Sequence, residues 1–370
     1  MRKVFQIKTL SLVAVTIGLL LLNSCKKEFT ITVQSNNEAW GSVIGSGTYA
    51  KGTVISIGAI AKSGYRFVSW QDGNTENPRS VTVQSDAIYI ATFTSDGEEP
   101  TNMGGISVSA TQKVYFSPGN LQWSGTNSGI IPTTHVVADG GTAAGIWRFA
   151  PDQWYITGNS DISSTCRGWI DLFGWGTSGY NNKYPYMTSR NSSDYGNGEN
   201  DIAGTNYDWG VYNAIYNPKT NTTDAPGTWR TLTSDEWEYL LNTRTTLSGI
   251  RYAKAEVNDW NGLIIVPDNW SSAVYDLDSV NIGNATFASN IINATDWNTM
   301  EKAGCVFLPT TGYRNGTQVV NITLVGLYWS STFDYDRYAY RLLFNSDNLS
   351  PSGDYYLENG ISVRLVKDVK

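Results

Sequence analysis

The chain has 370 residues, with 26 Lys and Arg against 33 Asp and Glu and a single His. A net charge of −7 with no basic cluster longer than two residues argues against electrostatic binding to nucleic acid and against a polybasic membrane contact. Three Cys, one His (His135) and no CxxC argue against a zinc site, and the 14 Trp and 22 Tyr are a large aromatic load for a core and for ligand platforms.

Residues 1–24 read as a secretory signal. Arg2, Lys3 and Lys8 give a positive start, and the apolar run Leu10 to Leu22 is short for a membrane span. Leu22-Asn23-Ser24-Cys25 resembles the bacterial lipobox. The resemblance implies cleavage before Cys25, lipidation of its sulfur and an outer-membrane anchor, with the protein surface exposed. Residues 25–28 are then a tether, and the mature chain carries 23 basic against 33 acidic residues. The membrane contact is through the lipid alone. An exported compartment permits a Cys166–Cys305 disulfide, but their apolar surroundings favour buried free thiols.

Residues 29–95 form a small β module. Apolar and polar residues alternate through Phe29–Val33, Thr53–Ile57 and Ser80–Val83, with glycines between the runs. Ala59 to Trp70, then Asp72-Gly73, Asn77-Pro78 and Ala91-Thr92-Phe93, resemble the internalin-type B repeat. The resemblance implies a β-grasp-like spacer of cell-surface proteins. Gly45-Ser46-Gly47 fits a dinucleotide-binding glycine pattern only formally, since no helix follows, and reads as a hairpin turn. Residues 96–105 are a linker rich in Gly, Pro and charge.

Residues 106–370 are enough for one large domain. Thr233-Ser234-Asp235-Glu236 is a capping box, with Trp237, Leu240 and Leu241 on one face of the helix it starts. A second helix is expected over Asp296 to Ala303, with Thr295 as N-cap and Gly304 as its stop. Trp123, Trp147, Trp154, Trp169, Trp175 and Trp209 are assigned mainly to the core. The fold class is α+β: an all-β module, then a loop-rich domain with about two helices and short antiparallel strands.

Trp229 to Tyr239, Gly326-Leu327-Tyr328-Trp329-Ser330-Ser331 and Gly360 to Val366 resemble segments of formylglycine-generating-enzyme-like proteins. Phe116 to Trp123, Asn261 to Trp270, Gly304 to Pro309 and Gly312-Tyr313-Arg314 resemble motifs of envelope lipoproteins with the same domain. The resemblance implies a C-type-lectin-like fold. The family's enzymes use a cysteine pair near the C-terminus, and no Cys follows Cys305, so no enzymatic activity is expected. The calcium-lectin triplets are absent too. No cofactor is expected, although loop carboxylates leave room for a structural Ca²⁺ ion.

The candidate site is the last segment. Tyr328, Trp329, Phe333, Asp334, Tyr335, Asp336, Arg337, Tyr338, Tyr340, Arg341, Asn345, Asp347, Asn348, Asp354, Tyr355 and Tyr356 have the Tyr, Asp and Asn bias of binding surfaces. Ordinary solvent-facing strands and turns share that bias. Variable proteins of diversity-generating retroelements are similar here, with changeable positions between a Tyr-Trp-Ser-Ser-like start and a Gly-x-Ser-Val-Arg-like end. The expectation is an adhesin- or receptor-like protein binding a glycan or protein ligand, on another cell or on the same envelope. A structural envelope or fimbrial assembly subunit is the alternative, and an extracellular carbohydrate-active enzyme a weaker one.

Overall fold

The computed structural model describes residues 27–62, 65–95, 105–125 and 145–369. Cys25 and His135 lie outside them. The described residues fall into two compact units, one drawn from residues 27–62 and 67–93, the other chiefly from residues 94–369.

The first unit has two sheets. One has the order Gly47–Ala50, Glu28–Ser35, Ala87–Ser95, Tyr65–Trp70; the other has the order Gly41–Ile44, Val54–Ala61, Arg79–Thr82. Glu28–Ser35 and Ala87–Ser95 run parallel, with Ile31 beside Ala87. The period-two alternation delivers Ile31, Val33, Ile57, Val81 and Phe93 to a core around a fully buried Trp70. No helix occurs among the described residues of this unit. Gly45-Ser46 does not close a hairpin, as its residues suggested. It carries the chain from the sheet that pairs Gly41–Ile44 to the sheet that pairs Gly47–Ala50. Gly45 sits at φ 105°, and a Cβ there would stand 2.8 Å from the Ser56 carbonyl, so only glycine fits.

The second unit is strand-rich with few helices. Three four-stranded sheets surround its cores, and one of them joins the ends of the domain: Val366 pairs with Phe116, and Leu365 with Thr231. A three-stranded antiparallel sheet is built from Gly326–Phe333, Tyr338–Phe344 and Leu349–Tyr356.

The capping box forms as expected. Thr233 Oγ1 accepts from the Glu236 N–H, and Glu236 accepts from the Thr233 N–H. The helix runs Ser234–Glu238 and widens into a π turn over Tyr239–Thr243, burying Trp237, Leu240 and Leu241. The second helix, Ala294–Lys302, starts two residues earlier than its sequence suggested. Asn293 is the N-cap, its Oδ1 accepting from the N–H groups of Thr295 and Asp296. Asn outranks Thr as a cap, and Asn293 offers its side chain first along the chain. Gly304 follows at φ 108°.

Trp123, Trp147, Trp169, Trp175 and Trp209 are buried and Trp154 is partly buried, in line with their assignment to the core. Cys166 and Cys305 are buried thiols that are not joined in a disulfide.

Candidate functional site

The three-stranded sheet divides the candidate residues into three groups. Tyr328 and Trp329 are fully buried. Tyr328 Oη donates to the Pro309 carbonyl at 2.8 Å, and the Trp329 indole donates to the Phe173 carbonyl at 2.7 Å. Both point into the domain with no surface left for a ligand contact; they are scaffold, which corrects the expectation that they bind. The Tyr-Trp-Ser-Ser motif is wholly internal, with Ser330 and Ser331 also buried.

The second group sits in the turn between the second and third strands. Asn345 Oδ1 accepts from the N–H groups of Asp347 and Asn348, an Asx-type closure. From below, the Lys254 ammonium donates to the carbonyls of Gly283, Asn345 and Asn348. Lys254 is buried, and burial lowers its pKa to about 8. The backbone of this turn is therefore held from below, while the Asp347 and Asn348 side chains reach solvent. Tyr338–Phe344 separates them from the first turn by roughly 20 Å of extended strand. One compact ligand surface does not include both ends.

The third group surrounds the opposite end. The first turn is closed by Asp334 and Tyr338, which share a backbone hydrogen bond of 3.0 Å, with Asp336 at its tip in the left-handed region (φ 50°). Tyr338 lies opposite Tyr356 on the neighbouring strand. Tyr335, Tyr338 and Tyr356 form a continuous stack, with ring centroids 5.1 and 4.6 Å apart. The outer rings face solvent, Tyr335 57% and Tyr356 40% exposed. The Arg337 guanidinium covers Tyr356 at 4.9 Å and pairs with Glu358. That pairing raises the Arg337 pKa, and hydrogen bonding to Tyr356 pushes the Tyr338 phenol up to about 12. Tyr340 stands opposite Asp354 and bonds Asp334, which raises its pKa.

On the other side of the same strands, Phe333, Tyr355 and Arg341 are partly buried. Tyr355 packs edge-on against Tyr313 at 5.9 Å, and burial pushes its phenol up to about 12. Phe333 packs against Trp175. The Arg341 guanidinium stands 5.8 Å from Tyr355 with Nε and Nη1 sealed from solvent. These three anchor the sheet to the core beneath the exposed rings.

The exposed surface is thus the stack Tyr335–Tyr338–Tyr356 with Arg337, Tyr340, Asp334, Asp336 and Asp354. The stacked rings hold one another, so little side-chain freedom is left to lose on binding. Among the described residues, no three His, Cys, Asp or Glu side chains gather as a metal site, and no helix is long and apolar enough to cross a membrane.

Residues 31–97 match the divergent InlB B-repeat domain. The B-repeat reading of the N-terminal module is borne out. Residues 239–366 match a domain family of unknown function, DUF8237. That span contains the whole three-stranded sheet with its tyrosine stack. None of the curated proteins and none of the solved structures matches the chain.

Proposed function

We propose that this protein is a lipid-anchored envelope protein whose C-terminal domain binds a glycan or protein ligand through the Tyr335–Tyr338–Tyr356 face. The stack carries the reading. Three aromatic rings in contact, two of them well exposed, occupy the rim of a sheet whose other side is tied into the core. Exposed aromatic clusters on a rigid support suit stacking on sugar or protein surfaces, and the adjoining Asp and Arg groups suit hydroxyls, amides and acidic groups. Cys25 would carry the anchor, and the B-repeat module would serve as spacer. The domain would adopt a C-type-lectin-like fold.

The same stretch suits diversification by a retroelement. The flanks Gly326–Ser331 and Gly360–Arg364 are almost wholly buried, while the side chains between them reach solvent at the first turn. Substitution at Tyr335, Asp336, Tyr338, Tyr340 or Tyr356 would change the surface without disturbing the core. Sequencing the gene segment for residues 328–367 across one bacterial population tests this. The expected result is variation confined to adenine positions of those codons, beside a template copy and a reverse transcriptase. An invariant segment without a template would leave a fixed binding surface. A glycan and protein array probed with the whole chain then identifies the ligand class.

A further inference from the structure

Four arginines of the C-terminal unit are buried: Arg148, Arg244, Arg314 and Arg364. A guanidinium carries five N–H donors and a charge, so its burial calls for acceptors on several sides. Arg244 pairs with Asp268 and donates to the carbonyls of Leu240, Val266 and Arg251. Arg314 donates to the carbonyls of Leu172, Met187 and Gly316. Arg364 donates to Asn120, Gln153 and the Phe307 carbonyl.

Arg148 breaks this pattern. It is only 7% exposed, yet its one hydrogen bond among the described residues runs from Nε to Gln122 Oε1 at 2.9 Å. No carboxylate lies within ion-pair distance of it among the described residues. Its two terminal nitrogens find no acceptor there, and neither is sealed from solvent. The Trp169 ring covers one face of the guanidinium at 3.8 Å, holding its plane fixed. Tyr155 and Tyr216 lie close enough to act on its charge, and Tyr155 is 39% exposed.

We propose that Arg148 anchors a second binding site, which takes a ligand carboxylate. The Nη1 and Nη2 groups form a planar fork, and a carboxylate is the planar acceptor that accepts from both. A single cation balances a single negative charge, which favours a carboxylate over a phosphate dianion in a site this enclosed. Trp169 orients the fork. The site shares no residue with the tyrosine face, and each stands or falls separately.

The test is calorimetry and thermal denaturation of the full chain with sodium glucuronate, sodium glutamate and, as the uncharged control, glucose. At least one carboxylate should bind saturably, in the millimolar range or tighter, and raise the Tm, while glucose does neither. Binding of glucuronate alone assigns an acidic sugar, of glutamate alone an amino-acid carboxylate, and of both a general carboxylate site. Arg148→Met should abolish binding; it relieves a buried charge but strips Gln122 Oε1 of its donor, so the Tm of the free variant is recorded beside the binding to show that it is folded. Arg148→Lys keeps the charge, loses the fork, and should weaken binding roughly tenfold or more; it also serves if Arg148→Met does not fold. Absence of carboxylate binding to the wild type, or undiminished binding to either variant, would overturn the assignment.

Discussion

Replacing Arg364 with Met should be the most damaging single change at the end of the Gly-Ile-Ser-Val-Arg motif. Arg364 is 1% exposed and reaches three parts of the domain at once. It donates to Asn120 Oδ1 at 3.0 Å, Gln153 Oε1 at 2.5 Å and the Phe307 carbonyl at 3.1 Å. Met approximates the stem and removes every donor. Gln153 Oε1 keeps the Phe307 N–H, so it is not left bare. Asn120 Oδ1 and the Phe307 carbonyl lose a charged donor in a water-free setting, at about 1–3 kcal/mol each. The buried positive charge is removed as well, which returns part of its desolvation cost. The net expectation is a loss of roughly 3 kcal/mol, or a fall in Tm of about 6 °C for a domain of this size. Calorimetric melting of wild type and variant measures it, with Arg190→Met as an exposed control near zero. A fall under about 2 °C would refute the reasoning, because it would mean the acceptors find other donors at no cost.

Thr233→Ala removes half of the capping box and should cost about 1 kcal/mol in urea denaturation; no change would mean that the Arg230–Glu236 ion pair alone holds the helix start. Asp208 is fully buried, and burial raises its pKa to about 6 despite the donors Thr231 and Gly210. The folded carboxyl therefore binds its proton more tightly than the unfolded one, and its contribution to stability is full below about pH 4 and lost as pH rises through 6. The stability of wild type minus that of Asp208→Asn should fall by up to roughly 3 kcal/mol from pH 4 to 6.5; a flat or rising difference contradicts this. Trp329→Ala should destabilise by about 3–5 kcal/mol, whereas Tyr335→Ala should cost less than about 1 kcal/mol, a contrast that thermal melting reads directly.

Local signals were the legible ones. The B-repeat residues, the alternation around Ile31 and Val33, and the Thr233 capping box each act over a few residues and survive folding unchanged. The start of the second helix went to Asn293 because two candidate caps stood two residues apart, and the stronger of them, Asn, came first. The binding segment was legible only as a composition. Tyr328 and Tyr338 are the same residue type in the same sheet, yet one is core and the other platform; strand register decides, and register depends on partners far along the chain. Asn345 and Asn348 read as contact residues, and only the fold shows Lys254, some ninety positions upstream, holding the carbonyls of their turn. Arg148 gave no signal. Its isolation shows only when the acceptors around the other buried arginines are compared with its own.

If the stacked tyrosines make the binding contact, their removal removes the affinity. The measurement that tests it most directly is the affinity of an array-identified ligand for wild type and for the triple variant Tyr335→Ala, Tyr338→Ala, Tyr356→Ala, with the Tm of both recorded. The account predicts at least a thirtyfold loss of affinity, the size of one aromatic hot spot at roughly 2 kcal/mol, with the Tm nearly unchanged. Full affinity in the triple variant would place the ligand elsewhere on the domain and contradict the account.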